Sequence, residues 1–413
     1  MNNINRGDSQ VSVWCIVSLA SIPLVMTLGN SMLIPVLPIL EKKVGITSFQ
    51  SSMIITSYSI AAILLIPVAG YLSDRLGRKK IILPSLILAL IGGLIAGYAS
   101  WKMENPFTWI IIGRILQGIG ASGAMPIVLP LVGDLYKDDD EKTSSCLGII
   151  ETSNTFGKVL SPILGSVFAA ILWFLPFFSI SLFSLISIIL IFFFVKVPKD
   201  SDEPVKLKEF IGNVKKTFKK EGKWLFTVFL NGAFVMLILF GVLFFLSEML
   251  EITHNIKGIK KGFVIAIPLL LLCISSFITG RNIKGDIKTI KRMMVLSLII
   301  TSASVVFVGF VKEKLILLLI VTSIVGIAIG ALLPVLDAII TENIRKEERG
   351  TVSSFYSSAR FIGVAAGPPI MSLVMKNYLN ISYIIGGIIG LLLLFLVFKY
   401  VKVDEFESKS TSK

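Results

Sequence analysis

The sequence predicts an all-α integral membrane protein of twelve transmembrane helices, arranged as two pseudo-symmetric six-helix bundles. Three observations predict it. Of the 413 residues 54% are hydrophobic and only 16% charged, with a mean hydropathy of +0.85, a composition outside that of soluble domains. Twelve apolar runs each approach the roughly 20 residues that cross a hydrocarbon core, and in lipid such runs satisfy their backbone only as helices. One long polar interruption, residues 196–223 with nine lysines, divides the runs six and six.

In order, the spans fall at 12–38, 47–72, 80–100, 107–133, 143–170 and 173–195, then 224–250, 259–280, 291–311, 315–341, 351–375 and 379–400. Residues 1–195 are therefore expected to form an N-terminal bundle and 224–413 a C-terminal bundle, joined by 196–223. Within that linker Leu207, Phe210, Ile211, Val214 and Phe218 recur at helical spacing among lysines. This pattern predicts an amphipathic helix lying on the inner leaflet. The first run is too long for a cleavable signal and no small-residue cleavage pattern follows it, so span 1 is expected to remain.

The net charge of +14 does not point to nucleic acid, because of where the charges fall. Of 40 Lys and Arg, 28 lie in segments on the side of the N-terminus, 9 on the other side and 3 within spans. The positive-inside rule then places both termini in the cytoplasm of a cell-membrane protein, its basic excess facing anionic headgroups. Cys15, Cys146 and Cys273 lie in or beside different spans without metal or redox spacing, and read as packing residues. The single histidine, His254, falls in an outside loop. With no Walker-type loop and no histidine within a span, neither ATP chemistry nor a Ser-His-Asp arrangement is expected. No enzyme, metal or cofactor is therefore foreseen; an enzyme would cluster polar residues at one membrane face, and a receptor would add a sizeable soluble domain.

Between spans 2 and 3 the turn Gly70-Tyr-Leu-Ser-Asp74-Arg75-Leu-Gly77-Arg78-Lys79-Lys80 packs charge tightly between two apolar runs. Gly70 lets a neighbouring helix approach, and Gly77 can supply the positive φ that a sharp reversal needs. Arg78, Lys79 and Lys80 open the next helix, where the dipole is unfavourable to cations, so a carboxylate such as Asp74 is the expected partner. Asp134, ending span 4 on the same side, is a second acceptor for Arg78. The turn is either a topology anchor or a cytoplasmic gate. A related turn beginning Gly280-Arg281 and ending Lys284-Gly285-Asp286 precedes span 9 at an offset of 210, and Gly326-Ile-Ala-Ile-Gly330 echoes Gly118-Ile-Gly120 at an offset of 208. Duplicated halves of six spans are the architecture of a secondary transporter.

These residues resemble the major facilitator superfamily and, within it, the twelve-span drug:proton antiporters. The turn from Gly70 to Lys80 is similar to the family signature between spans 2 and 3. Leu28-Gly29 with Pro35-Val-Leu-Pro38 looks like the proline signature of span 1, and Arg114-Ile-Leu-Gln117-Gly118-Ile-Gly120-Ala121 like that of span 4, whose arginine the family links to proton coupling. Gly157-Lys-Val-Leu-Ser161-Pro162-Ile-Leu-Gly165-Ser166 resembles the antiporter motif of span 5, with serines at 161 and 166 where glycines are usual. Gly363-Val-Ala-Ala-Gly367-Pro368 is similar to the same small-residue pattern in span 11. The resemblance implies two bundles rocking about a central cavity.

Charges within spans default to functional hypotheses. Arg114 lies in span 4, Glu151 and Lys158 in span 5, Asp337 in span 10 and Arg360 in span 11, while spans 3, 6, 9 and 12 have none in their interiors. At 1.5 Å per residue Glu151 lies roughly 12 Å and Arg360 roughly 14 Å from the inner face, and Arg114 and Lys158 lie roughly 8–10 Å from the outer face. Glu151 is the first choice for proton carrier, since a carboxylate at that depth binds or releases a proton as its surroundings change; a permanently paired structural glutamate is the alternative. Asp337, a turn from the inner end, reads as a hinge or interface contact or a second coupling group. Arg114 either stabilises the local fold or tunes a carboxylate. Asn30, Gln117, Asn154, Lys158, Asn231 and Arg360 are candidates to line the substrate cavity, each polar group otherwise bridging helices.

The expected function is proton-coupled efflux of small amphipathic, drug-like compounds by a monomer exchanging substrate for protons. The alternative is a narrow importer or exporter of an organic anion or metabolite, favoured by the excess of interior cations.

Overall fold

The computed structural model describes residues 12–136, 140–196, 207–283, 287–344, 346–375 and 377–403. They form fourteen α-helices: α1 (Val13–Ser31), α2 (Leu37–Val44), α3 (Ser48–Leu76), α4 (Arg78–Lys102), α5 (Phe107–Ala124), α6 (Val128–Leu135), α7 (Asp140–Ile171), α8 (Leu175–Phe194), α9 (Leu207–Ile252), α10 (Gly258–Asn282), α11 (Ile287–Val311), α12 (Leu315–Asn343), α13 (Lys346–Val374) and α14 (Leu379–Tyr400). No strand occurs among the described residues.

Spans 1 and 4 are broken helices. Pro35 cannot donate to the carbonyl of Ser31 and its ring crowds that oxygen, so α1 ends there and a 3₁₀ turn, Ile34–Val36, leads into α2. Pro38 likewise leaves the Ile34 carbonyl without its helical donor, and the Ser247 hydroxyl of α9 donates to it at 3.1 Å. Pro126 separates α5 from α6 in the same way.

Eleven segments among the described residues are long and apolar enough to cross a membrane, one fewer than the twelve apolar runs expected. The exception is α13, whose 29 residues are long enough but carry Ser353, Ser354, Ser357, Ser358 and Arg360. It packs between α3 and α9, so protein rather than lipid receives these groups.

The linker also differs from expectation. Residues 207–223 run without a break into span 7 as part of the 46-residue α9, which contains no proline to interrupt it. Phe218 stacks edge-on against Phe229 of the same helix and Phe355 of α13, at 5.9 and 5.6 Å between centroids, instead of facing a leaflet. The side chains of Leu207, Phe210, Ile211 and Val214, and residues Lys284, Gly285 and Asp286 of the second turn, lie outside the described residues.

The packing repeats between the halves of the chain. The pairs α1–α7, α3–α5, α4–α5 and α4–α8 recur as α9–α13, α10–α12, α11–α12 and α11–α14. Glycine contacts carry the same symmetry: a Cβ at Gly118 would meet the Tyr58 carbonyl oxygen at 2.1 Å, and one at Gly326 the Pro268 oxygen at 2.3 Å. Both the glycines and their partners are offset by close to 210 residues. Two long contacts join the halves, α3 with α13 and α7 with α10, again related by the repeat. The most apolar window of span 1 is 89% buried and that of α9 78%, against 39% in α8 and 33% in α14, so spans 1 and 7 are central. On α4, α8, α11 and α14, side chains such as Ile91, Phe193, Phe307 and Phe395 are exposed, forming the lipid-facing surface of a multi-pass membrane protein. Twelve crossings bring residues 12 and 403 to one face, termed the termini face; the other is the distal face.

Candidate substrate pathway

The turn after α3 is built as its sequence suggests. Gly77 has φ +99°, and a Cβ on Gly70 would lie 3.2 Å from the Ser354 hydroxyl of α13. Arg78 pairs with Asp74 and, through Nε, donates to Asp134 Oδ2 at 3.0 Å, while its Nη1 donates to Ser73 Oγ at 2.8 Å. These bonds tie α3, α4 and α6 together within the first half. Lys79 donates to the carbonyls of Phe192 and Val195 at 2.9 and 2.7 Å, capping the C-terminus of α8, where a cation complements the helix dipole. Arg75 is exposed.

Arg114 is fully buried on α5. Its Nε donates to the Ile54 carbonyl of α3 at 2.8 Å, its Nη1 to the Gly29 carbonyl of α1 at 2.8 Å and to Gln117 Oε1 at 2.6 Å, and its guanidinium lies 4.6 Å over the Tyr58 ring. The fork joins three helices through neutral acceptors; none of these bonds goes to a carboxylate. Gln117 is turned to α4 rather than the central cavity: a Cβ on Gly92 would touch its Cγ at 2.9 Å and one on Gly93 its Nε2 at 3.1 Å. The absence of side chains at 92 and 93 opens the notch it fills.

On α7, Glu151, Asn154 and Lys158 follow one another along a single face. Thr27 of α1 donates to Asn154 Oδ1 at 2.6 Å, and Asn154 Nδ2 donates to the two oxygens of Glu151 at 3.2 and 3.4 Å. Close packing holds α7 in place. A Cβ on Gly157 would lie 3.2 Å from Leu24, and one on Gly165 would lie 2.0 Å from the carbonyl oxygen of Met32, next to the break in span 1. A Cβ on Gly262 of α10 would meet the Pro162 oxygen at 2.3 Å. In the second half Gly363 and Gly367 do the same for α13 against α9, at 2.0 Å from the Ala233 oxygen and 2.7 Å from the Leu237 oxygen.

A small cavity opens between the halves at the level of the span 1 break, lined by Ser31, Ile34, Lys158, Phe240, Leu243 and Leu269. Lys158 is 8% exposed. Toward the termini face, Glu151 is half-buried and Arg360 Nη1 lies 3.6 Å from Asp337 Oδ1, with Arg360 also over the Tyr356 ring at 5.7 Å. Glu151, Asp337 and Arg360 are all within electrostatic reach of Lys158. Asn30 and Asn231 are buried; Asn231 Nδ2 donates to the Thr227 carbonyl of its own helix at 2.8 Å, and each Oδ1 lacks a hydrogen bond among the described residues.

Sequence reasoning missed the distal ion cluster. Lys261, counted among the outside charges, is fully buried on α10 and pairs with Glu251 of α9 at 2.8 Å, and the other Glu251 oxygen meets Lys42 of α2 at 2.7 Å. Glu248, one turn back, is 3% exposed. The signal was an acidic end of span 7 facing a basic start of span 8 across a short loop. Together with Ser247 on the Ile34 carbonyl, this cluster ties the first span to α9 on the distal face.

Two repeated six-span halves with a cavity lined by both are the architecture of a membrane transporter. The chain belongs to the Major Facilitator Superfamily, whose family model matches residues 19–288 and 262–413. It is 51% identical over 394 residues to the Bacillibactin exporter of Bacillus subtilis (strain 168), covering 95% of this chain and 98% of the relative. It is 25% identical over 374 residues to Multidrug resistance protein 2 of the same organism, with 88% and 89% covered. Among solved structures, the human organic anion transporter MFSD10 (TETRAN) superposes with a TM-score of 0.73 at 19% identity over 93% of this chain and 99% of that one, which shows the fold. The chain is thus a membrane transporter and not an enzyme.

Proposed function

We propose that the protein exports bacillibactin or a close chemical relative across the cell membrane by alternating access, in exchange for protons. The similarity to the Bacillibactin exporter over nearly the whole of both chains carries this reading. The positive-inside distribution supports a cytoplasmic termini face; in that orientation the bonded distal side is the outer gate and the conformation described is closed to the outside. Glu151 is the proposed proton carrier. The described hydrogen bonds of its carboxylate are the two long ones from Asn154, so donors on a substrate and a proton compete for the same oxygens. Competition of this kind makes the two loads alternate. A broad drug-efflux role, the first expectation from sequence, rests on relatives near 25% identity and is the weaker reading.

The test is complementation. A Bacillus subtilis strain lacking its bacillibactin exporter, given this chain, should regain extracellular bacillibactin by mass spectrometry. Intracellular retention at a normal membrane level of the protein would overturn the proposal, and resistance to a panel of lipophilic cations instead would favour drug efflux.

A further inference from the structure

The cations within the spans of this chain are not equivalent. Arg114 spends its fork on two backbone carbonyls and Gln117, Lys261 is neutralised by Glu251, and Arg360 faces Asp337. Lys158, more than nine-tenths buried, has an ammonium group with no hydrogen-bond partner among the described residues. Its surroundings make this costly. The cavity wall around it is mainly Ile34, Phe240, Leu243 and Leu269, side chains that offer a charge nothing. The carboxylate on its own helix face, Glu151, lies two turns away, roughly 10 Å along the axis at 1.5 Å per residue, and is engaged by Asn154. Asp337 is held by Arg360.

We infer that Lys158 is the anchoring residue of the substrate site and that the group it binds is an acidic oxygen of the substrate, which becomes the missing counter-ion. The inference rests on the export reading above and narrows it to the chemistry of the cargo. A carboxylate or similarly acidic oxygen entering the cavity gains a charge-assisted hydrogen bond in a dry environment, whereas a neutral isostere leaves the ammonium unpaired. A lipophilic cation adds repulsion to that. The cavity is shared by elements of both halves, span 1 and α7 from the first, α9 and α10 from the second, so an anion there touches the parts that alternating access moves relative to one another.

Two properties separate this role from a structural one. If Lys158 held the fold together, its removal would destabilise the empty protein; as an uncompensated buried charge, its removal should do the opposite. The experiment uses the full chain purified in detergent, as wild type, Lys158→Gln and Lys158→Arg, with 2-naphthoate and its neutral counterpart 2-naphthamide as probes. Wild type and Lys158→Arg should bind the acid more tightly than the amide by about tenfold or more, the equivalent of one charged hydrogen bond. Lys158→Gln should bind the two alike while melting about 2 °C or more above the ligand-free wild type. Wild type without an acid preference, Lys158→Gln retaining one, or a Lys158→Gln protein that melts lower or fails to fold would each overturn the inference. The complementation strain separates the readings. Loss of acid preference in Lys158→Gln together with failed bacillibactin export leaves the site standing and removes the named cargo; restored export with an unchanged preference does the reverse.

Discussion

Lys42 and Glu251 meet at 2.7 Å across the distal face, joining the end of span 1 to the end of span 7. The two partners are unequal: the Lys42 side chain is 68% exposed and that of Glu251 5%, and Glu251 keeps a second, fully buried lysine, Lys261, at 2.8 Å. In the proposed opening of the distal side, Lys42 would move into water with its charge already largely solvated, while Glu251 would stay neutralised by Lys261. Loss of this contact therefore leaves the Glu251 carboxylate paired.

Lys42→Ala should ease distal opening only modestly. An exposed pair contributes about 0.2–1 kcal/mol, a shift of up to roughly fivefold in the open population. Labelling of a cysteine introduced at Ser247 should quicken by that factor. Lys261→Met removes the buried partner instead, costs about 3 kcal/mol or more, and should lower the melting temperature and the yield of folded protein.

Glycine substitutions separate packing from flexibility. Gly165→Ala and Gly363→Ala each place a methyl group 2.0 Å from a backbone oxygen that belongs to a neighbouring helix and cannot rotate away. Each should destabilise by about 1–3 kcal/mol. Gly133→Ala and Gly148→Ala, where a Cβ would meet no atom of a neighbouring element within 4 Å among the described residues, should be neutral or slightly stabilising because alanine is the better helix former. Melting temperatures of the four variants in one detergent decide it.

Much of the fold was legible because lipid imposes it. Run lengths, the charge-free outer spans and the small-residue motifs follow from a solvent that tolerates neither open backbone nor stray charge. Gly77 was readable for the same kind of reason, since a reversal between two packed helices needs a positive φ. What escaped depended on direction or partnership. Gln117 sits at the right depth for the cavity, yet its side chain turns to the Gly92–Gly93 notch, and a linear sequence does not show which way a side chain points. Lys261 was counted with the outside charges by its position at a span end, and only folding brings Glu251 to it. The low apolarity of α13 became intelligible once α3 and α9 were seen to cover it.

Arg114 offers a direct test of shape against charge. Its fork reaches acceptors on α1 and α3 at once, which a lysine's single ammonium cannot reproduce. Arg114→Lys should cost about 2–4 kcal/mol and abolish transport together with stability. A variant that melts like wild type yet does not transport would show that the guanidinium acts in the coupling step instead.

The proposed coupling carboxylate, Glu151, is tested by separating exchange from energisation. Glu151→Gln keeps an amide able to meet Asn154 but removes the titrating group, so the α1–α7 contact through Thr27 and Asn154 should survive and the melting temperature should stay within about 2 °C of wild type. In proteoliposomes loaded with bacillibactin, substrate-for-substrate counterflow should persist, since it needs only binding and rocking of the two halves. Accumulation driven by an imposed pH gradient should fall to the level without a gradient. If gradient-driven transport survives in Glu151→Gln and fails in Asp337→Asn, the proton passes through the carboxylate that Arg360 faces rather than through the one that Asn154 holds.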